Sequence, residues 1–299
     1  MPTRTRPLPL FAIALALALG GGCTRERPRA PGDPGHDLRG EILRVDVARK
    51  ILVVHHEEIP GYMPAMAMEF TAPAADLSAL REGQRIAARM IEAAPGEFRL
   101  DGLHVLDPRK ETELAAAALA LRQDTHSRGR HAYREIGEPA PAFSLLNQDG
   151  EIVRFEHFRG KRVILNFIFT RCPVPTMCPA ATGKMQSLQI TAKQAGIREL
   201  ELVSISFDSA YDTPPVLKAY AAARGIDTTN FSFLTGSKEA IADLLRQFGV
   251  YVIPGKNVFK HTLATILVGP DGKIIHRTDE SEWEPEEFLR LLAPTPRVP

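Results

Sequence analysis

From Arg162 to Thr170 the chain reads RVILNFIFT, an apolar run with no alternation to mark a solvent face. A strand of that kind needs cover on both sides, which proteins supply with helices flanking a largely parallel sheet. The following sequence provides that cover. CPAATGKMQSLQITAKQAG (178–196) reads as a helix, ELELVSISFD (199–208) as a second strand and PPVLKAYAAARG (214–225) as another helix, and ATILVGPDGKIIHR (264–277) reads as a hairpin turning between Gly269 and Gly272. The C-terminal half, residues 137–299, is expected to be an α/β domain.

Upstream the pattern is different. GEILRVDVARKILVVHH, MAMEFTA, GQRIAARMI and EFRLDGLHVL are short, β-branched and punctuated by Gly and Pro, with no clear helix among them. They predict a small all-β barrel over residues 38–107. The segment 108–136 opens helical and ends polar, and reads as a connector. With 299 residues, 44% of them hydrophobic, the chain is long enough for two modest cores. A net charge of +1, with no run of like charge, argues against a nucleic-acid partner.

The N-terminus carries addressing information rather than fold. Arg4 and Arg6 precede an apolar run from Leu8 to Leu19, and three glycines lead to Cys23. The run is shorter than the ~20 residues a membrane helix needs and has the layout of an export signal over residues 1–22. A cysteine directly after small residues resembles a bacterial lipobox, with Gly20 where a leucine is usual. The expectation is lipidation of Cys23, a tether over residues 23–37, and an extracytoplasmic, membrane-anchored protein. In such a compartment a neighbouring pair of thiols tends to oxidise.

That pair is Cys172 and Cys178, which with Cys23 make up the chain's three cysteines. Both lie in TRCPVPTMCP (170–179), at the carboxyl end of the apolar strand, where reactive groups gather in open α/β sheets. Pro173 and Pro175 bar a helical turn, and Pro179 suits the start of the next helix. Cys178 then falls at a helix N-terminus, which predicts a lowered thiol pKa. Two thiols brought to one point are either a disulfide couple or a clamp for a soft metal ion.

From about Glu138 to Ala293 the chain resembles the Sco/SenC family, thioredoxin-fold copper chaperones of cytochrome oxidase assembly. The resemblance rests on GEPAPAFSLLNQDG, FTRCPVPTMCP, ISFDSAYDTPPVLKAYA and a histidine before ATILVGPDG. It implies a thioredoxin-like domain binding Cu(I) or Cu(II) through Cys172, Cys178 and His261. The implied recipient is a copper-site subunit of cytochrome c oxidase, at the copper A centre, or another copper protein. The cysteines here are separated by five residues where most members have three. The alternative is a thiol-disulfide oxidoreductase using Cys172 and Cys178 to reduce the acceptor. Asp208 reads either as an outer partner of the site or as a cap of the next helix.

A second soft cluster lies in the barrel. HHEEIPGYMPAMAMEF (55–70) holds three of the chain's seven methionines. Met66 and Met68 are two apart, so on a strand both thioethers face the same way. With a histidine from the preceding strand they offer two sulfurs and one nitrogen, suited to Cu(I) or Ag(I). The stretch resembles the CusF-like periplasmic copper-binding domain, an OB-like barrel. The resemblance carries the ligand positions to His56, Met66 and Met68, with His55 the alternative by one residue and Met63 standing where the family has a tryptophan. A chain with this cluster also fits copper tolerance by sequestration.

Overall fold

The computed structural model describes residues 35–73, 77–253, 260–279 and 283–292. The expected signal segment, Cys23 and most of the tether lie outside the described residues. No described helix is long and apolar enough to cross a membrane.

Five strands, β1 (His36–Asp46), β2 (Ile51–His56), β3 (Met66–Thr71), β4 (Arg85–Ala94) and β5 (Glu97–Val105), close into a barrel in the order β1-β2-β3-β5-β4. Closure leaves no sheet edge to be protected. Alternation drives it: Leu38, Ile42, Leu52, Val54, Phe70, Ile86, Met90 and Leu100 point inward and are buried. Gly40 stands opposite His56 in the β1–β2 ladder, and a Cβ there would lie 2.6 Å from the His55 carbonyl oxygen and 2.8 Å from the His56 Cα. Only glycine lets β1 lie this close to the end of β2.

The connector is one long helix, α1 (Pro108–Arg128), started by Asp107, whose Oδ1 accepts from the Arg109 N–H at 2.9 Å. It is not a loose linker. Gln247 Nε2 donates to Asp124 and to the buried Thr125 hydroxyl, both at 2.9 Å, and Arg134 donates to Gln247 Oε1 at 2.8 Å, so the helix packs on the domain that follows.

That domain adds a small hairpin of β6 (Ser144–Leu146) and β7 (Ile152–Arg154), then β8 (Arg162–Ile168), α2 (Cys178–Gln194), β9 (Leu200–Ser206), α3 (Pro214–Ala223), β10 (Phe231–Leu234) and α4 (Lys238–Gln247). A two-residue pair, β11 (Val252–Ile253) and β12 (Lys260–His261), precedes the hairpin of β13 (Thr265–Val268) and β14 (Ile274–Thr278), and α5 (Pro285–Leu292) ends it. The central sheet has the order β10-β9-β8-β13-β14, with β8, β9 and β10 parallel and β13 antiparallel to β8. Every β8 residue after Arg162 is buried, as its unbroken apolar run requires. The core around it, including Phe167, Phe231, Phe233, Phe248 and Phe288, is a separate cluster from that of the barrel. This is a thioredoxin-like sheet preceded by a small closed β-barrel.

Candidate metal centres

The cysteine loop leaves the carboxyl end of β8. Residues 172–174 have no helical turn, and α2 opens at Cys178 with Pro179 in its first turn. Of the five residues between the cysteines, Val174 and Met177 turn back onto the domain, while Pro173, Pro175 and Thr176 are exposed. Met177 N–H donates to the Val174 carbonyl at 3.1 Å, and the side chains of both residues pack against the core.

Neither thiol is in a disulfide; Cys172 is 9% exposed and Cys178 is fully buried. Burial pushes the Cys178 thiol well up, the adjacent Cys172 thiol adds to that push, and a hydrogen bond with the Phe169 backbone opposes it. The lowered pKa expected from the helix N-terminus is therefore overturned. Cys178 does stand at the helix start, but losing water disfavours the thiolate by more than the helix end favours it. An ion that binds by displacing the proton would reverse that balance.

The backbone brings His261 to the same end of the sheet. β13 runs antiparallel to β8 with Thr265 opposite Asn166, so the chain from His261 enters the sheet where β8 leaves it for Cys172. His261 is paired with Val252 across β11 and β12. Met177 and Ala181, beside Cys178, line a small gap together with Leu263, Ala264 and Trp283.

Polar groups beneath the loop hold its first half. Asp208, 4% exposed, accepts from Arg171 Nε at 2.6 Å and from its Nη2 at 3.3 Å. It does not cap α3, whose N-cap is Thr213. Asp208 thus acts on the loop through Arg171, the neighbour of Cys172. Asp212 was not singled out by sequence reasoning, yet it is fully buried and takes the Thr170 N–H at 3.0 Å as well as the hydroxyls of Thr170 and Ser206. Burial raises its carboxyl to about 6. The available signal was two acids four residues apart in DSAYD, just after a strand.

In the barrel, His56 and Met66 are directly opposite in the β2–β3 ladder, and Val54 is opposite Met68, which places the imidazole and both thioethers on one face. His55 faces away, opposite Ala67, and is exposed. His56 is fully buried, its Nδ1 is 2.7 Å from the Glu57 carbonyl oxygen, and its Nε2 is buried without a partner. A carbonyl only accepts, so Nδ1 carries a proton, and Nε2 is the ring nitrogen left to offer a lone pair. That orphaned lone pair fits a metal ion, and the thioethers beside it make the ion a soft one. Met66 is 45% exposed, whereas Met63 and Met68 are partly buried against the barrel core. Met63 is held by backbone hydrogen bonds to Ile59, and beside it the Tyr62 ring stacks on His36 at 3.8 Å. The sequence had not drawn His36 to this mouth.

The architecture is that of a thioredoxin-like thiol protein carrying an additional barrel. Residues 132–294 match the SCO1/SenC family model, and the chain belongs to that family. Residues 35–105 match the model of the copper binding periplasmic protein CusF. The SCO1 protein homolog of Bacillus subtilis (strain 168) is 36% identical over 137 residues, which are 44% of this chain and 69% of that protein. Among solved structures, a SCO1/SenC family lipoprotein from Bacillus anthracis str. Ames is 29% identical, with a TM-score of 0.49 over 54% of this chain and 96% of that one. BsSco, described as a member of the Sco family of cytochrome c oxidase assembly proteins with a disulfide switch, is 30% identical, with a TM-score of 0.46 over 53% and 96%.

Proposed function

We propose that this protein is an extracytoplasmic copper chaperone, anchored by a lipid on Cys23, with copper as its cargo rather than a resident cofactor. It works as two domains. A barrel over residues 38–107 captures Cu(I) with His56, Met66 and Met68, assisted by Met63. A thioredoxin-like domain over residues 137–299 holds copper with Cys172, Cys178 and His261 and passes it on, to the copper A centre of a terminal oxidase.

One observation carries the reading: two buried cysteines at the sheet end to which the backbone also brings His261, in a chain that has a second, thioether-and-imidazole cluster elsewhere. Thiolate and thioether sulfur select Cu(I), and an imidazole accepts either copper state. The chain's residues take part in transfer by ligand exchange. Each thiol gives up its proton as copper arrives, and each sulfur is replaced in turn by a donor of the acceptor. Reductase chemistry would use the same two sulfurs without needing His261, and that difference separates the two roles.

The test is His261→Ala. Copper binding at the cysteine site is expected to fall by on the order of 100-fold or more while disulfide exchange with a small dithiol is largely kept, because exchange needs only the two sulfurs. Copper titration beside a disulfide-reduction assay reads both. A variant that binds copper as the parent does, yet fails in reduction, would make this a redox enzyme.

A further inference from the structure

Arg89 belongs to the barrel, on β4, but its side chain works outside it. The residue is 9% exposed, its Nη1 lies 3.5 Å from the Ala210 carbonyl oxygen, and its Cζ is 5.9 Å from the centre of the Tyr211 ring. Ala210 and Tyr211 lie in the loop between β9 and α3, in the thioredoxin-like part of the chain. The same ring receives a second guanidinium. Arg171, the residue before Cys172, places its Cζ 4.8 Å from the Tyr211 centre.

Two like charges near one ring need counter-charges, and each has one. Arg171 is held by Asp208 at 2.6 Å, and Arg89 has Asp37 at 3.8 Å. The loop from Asp208 to Thr213 is therefore gripped from both sides. On the cysteine side, Asp208 and Asp212 bind Arg171 and Thr170. On the barrel side, besides Arg89, Gly102 of β5 runs so close that a Cβ on it would stand 2.7 Å from Thr213 Oγ1.

We infer that Arg89 is a positioning residue for the cysteine loop: it holds Ala210 and Tyr211 against the barrel, fixing the ring on which Arg171 rests, and so keeps the Cys172 and Cys178 thiols buried while the barrel is docked. Undocking would loosen Tyr211, then Arg171, then the loop. The barrel thereby controls when the thiols can be reached, which is a role separate from any metal it carries. The inference concerns the position of the loop and stands whether or not the thiols bind copper.

The experiment measures alkylation of Cys172 and Cys178 by iodoacetamide in the full chain, reduced, metal-free and carrying Cys23→Ser so that no other thiol reacts. Buried thiols react only when the loop opens, so the rate reports opening. Arg89→Met is expected to raise the rate about threefold to tenfold, since a guanidinium over an aromatic ring contributes modestly but directly. Arg89→Lys, which keeps a cation, falls between. Tyr211→Leu matches Arg89→Met, and Tyr211→Phe, which keeps the ring, reacts as the parent does. The double variant Arg89→Met/Tyr211→Leu is no faster than either single one, because both cut the same chain of contacts. Should Arg89→Met fail to fold, the Leu and Phe variants at Tyr211 still read the ring. Unchanged rates in Arg89→Met and Tyr211→Leu would overturn the inference. So would additive effects in the double variant, or equal rates for Tyr211→Leu and Tyr211→Phe.

Discussion

The two candidate sites place soft donors in opposite ways. At the cysteine loop both sulfurs are buried, and the loop is held by Asp208 and Asp212 at a distance in sequence. At the barrel mouth the candidate ligands sit on two adjacent strands, the histidine is buried, and Met66 is left 45% exposed. A site built on a paired ladder is set by register alone, because opposite residues share a face. A site built on a loop needs long-range partners to hold it. The first leaves a thioether in reach of solvent; the second keeps both sulfurs under cover. This contrast suits a chain that captures an ion at one place and guards it at another.

The contrast is tested first on the buried side, through Asp212. An unfolded aspartate has a pKa near 3.8, whereas the buried carboxyl is raised to about 6. The native chain thus holds this proton more tightly, the unfolded chain loses it first as pH rises, and stability falls between those two values. The loss amounts to about 3 kcal/mol at most, is absent below the lower pKa and is complete above the upper one. In Asp212→Asn the group stays neutral throughout, and the fall in stability from pH 4 to pH 7, measured by denaturant unfolding, is expected to be smaller by about 2 kcal/mol. Parallel profiles for parent and variant would mean that Asp212 is not held in a dry site.

A smaller effect is expected on the open side. Met63→Leu nearly conserves volume, so the barrel should keep its stability. Silver affinity should drop about threefold to tenfold if the third thioether is a ligand, far less than on losing either strand methionine. An unchanged affinity would leave Met63 as packing against the barrel core, with the site reduced to His56, Met66 and Met68.

How much of this was legible in the sequence follows the same division. The barrel and its mouth could be read from alternation, because period-2 patterning states which residues share a face; the choice between His55 and His56 needed only the register with Met66 and Ala67. The α/β domain was visible in the continuous apolar β8, and the cysteine loop in its prolines. What could not be read depends on tertiary contact. The helix-end argument for Cys178 used a local cause, whereas its thiol answers to burial by residues far along the chain. The reading of residues 108–136 as a connector did not disclose that α1 would pack through Asp124 and Thr125 onto Gln247. Nor did the sequence show that Arg89 and Arg171 share the Tyr211 ring: Arg89 carries no motif, and Arg171 was read only as part of the cysteine segment.

The central claim is that one chain holds two independent copper sites of different make. The most direct measurement is the Cu(I) stoichiometry of the reduced full chain carrying Cys23→Ser, with Cys172→Ser/Cys178→Ser and Met66→Leu/Met68→Leu measured beside it. The account predicts two ions in the parent and one in each paired variant, with sulfur from cysteine dominating the X-ray absorption signature of the ion that survives the methionine change and thioether sulfur with imidazole that of the other. A parent that binds a single ion, abolished by the cysteine change and untouched by the methionine change, would contradict it and leave the barrel without a copper site.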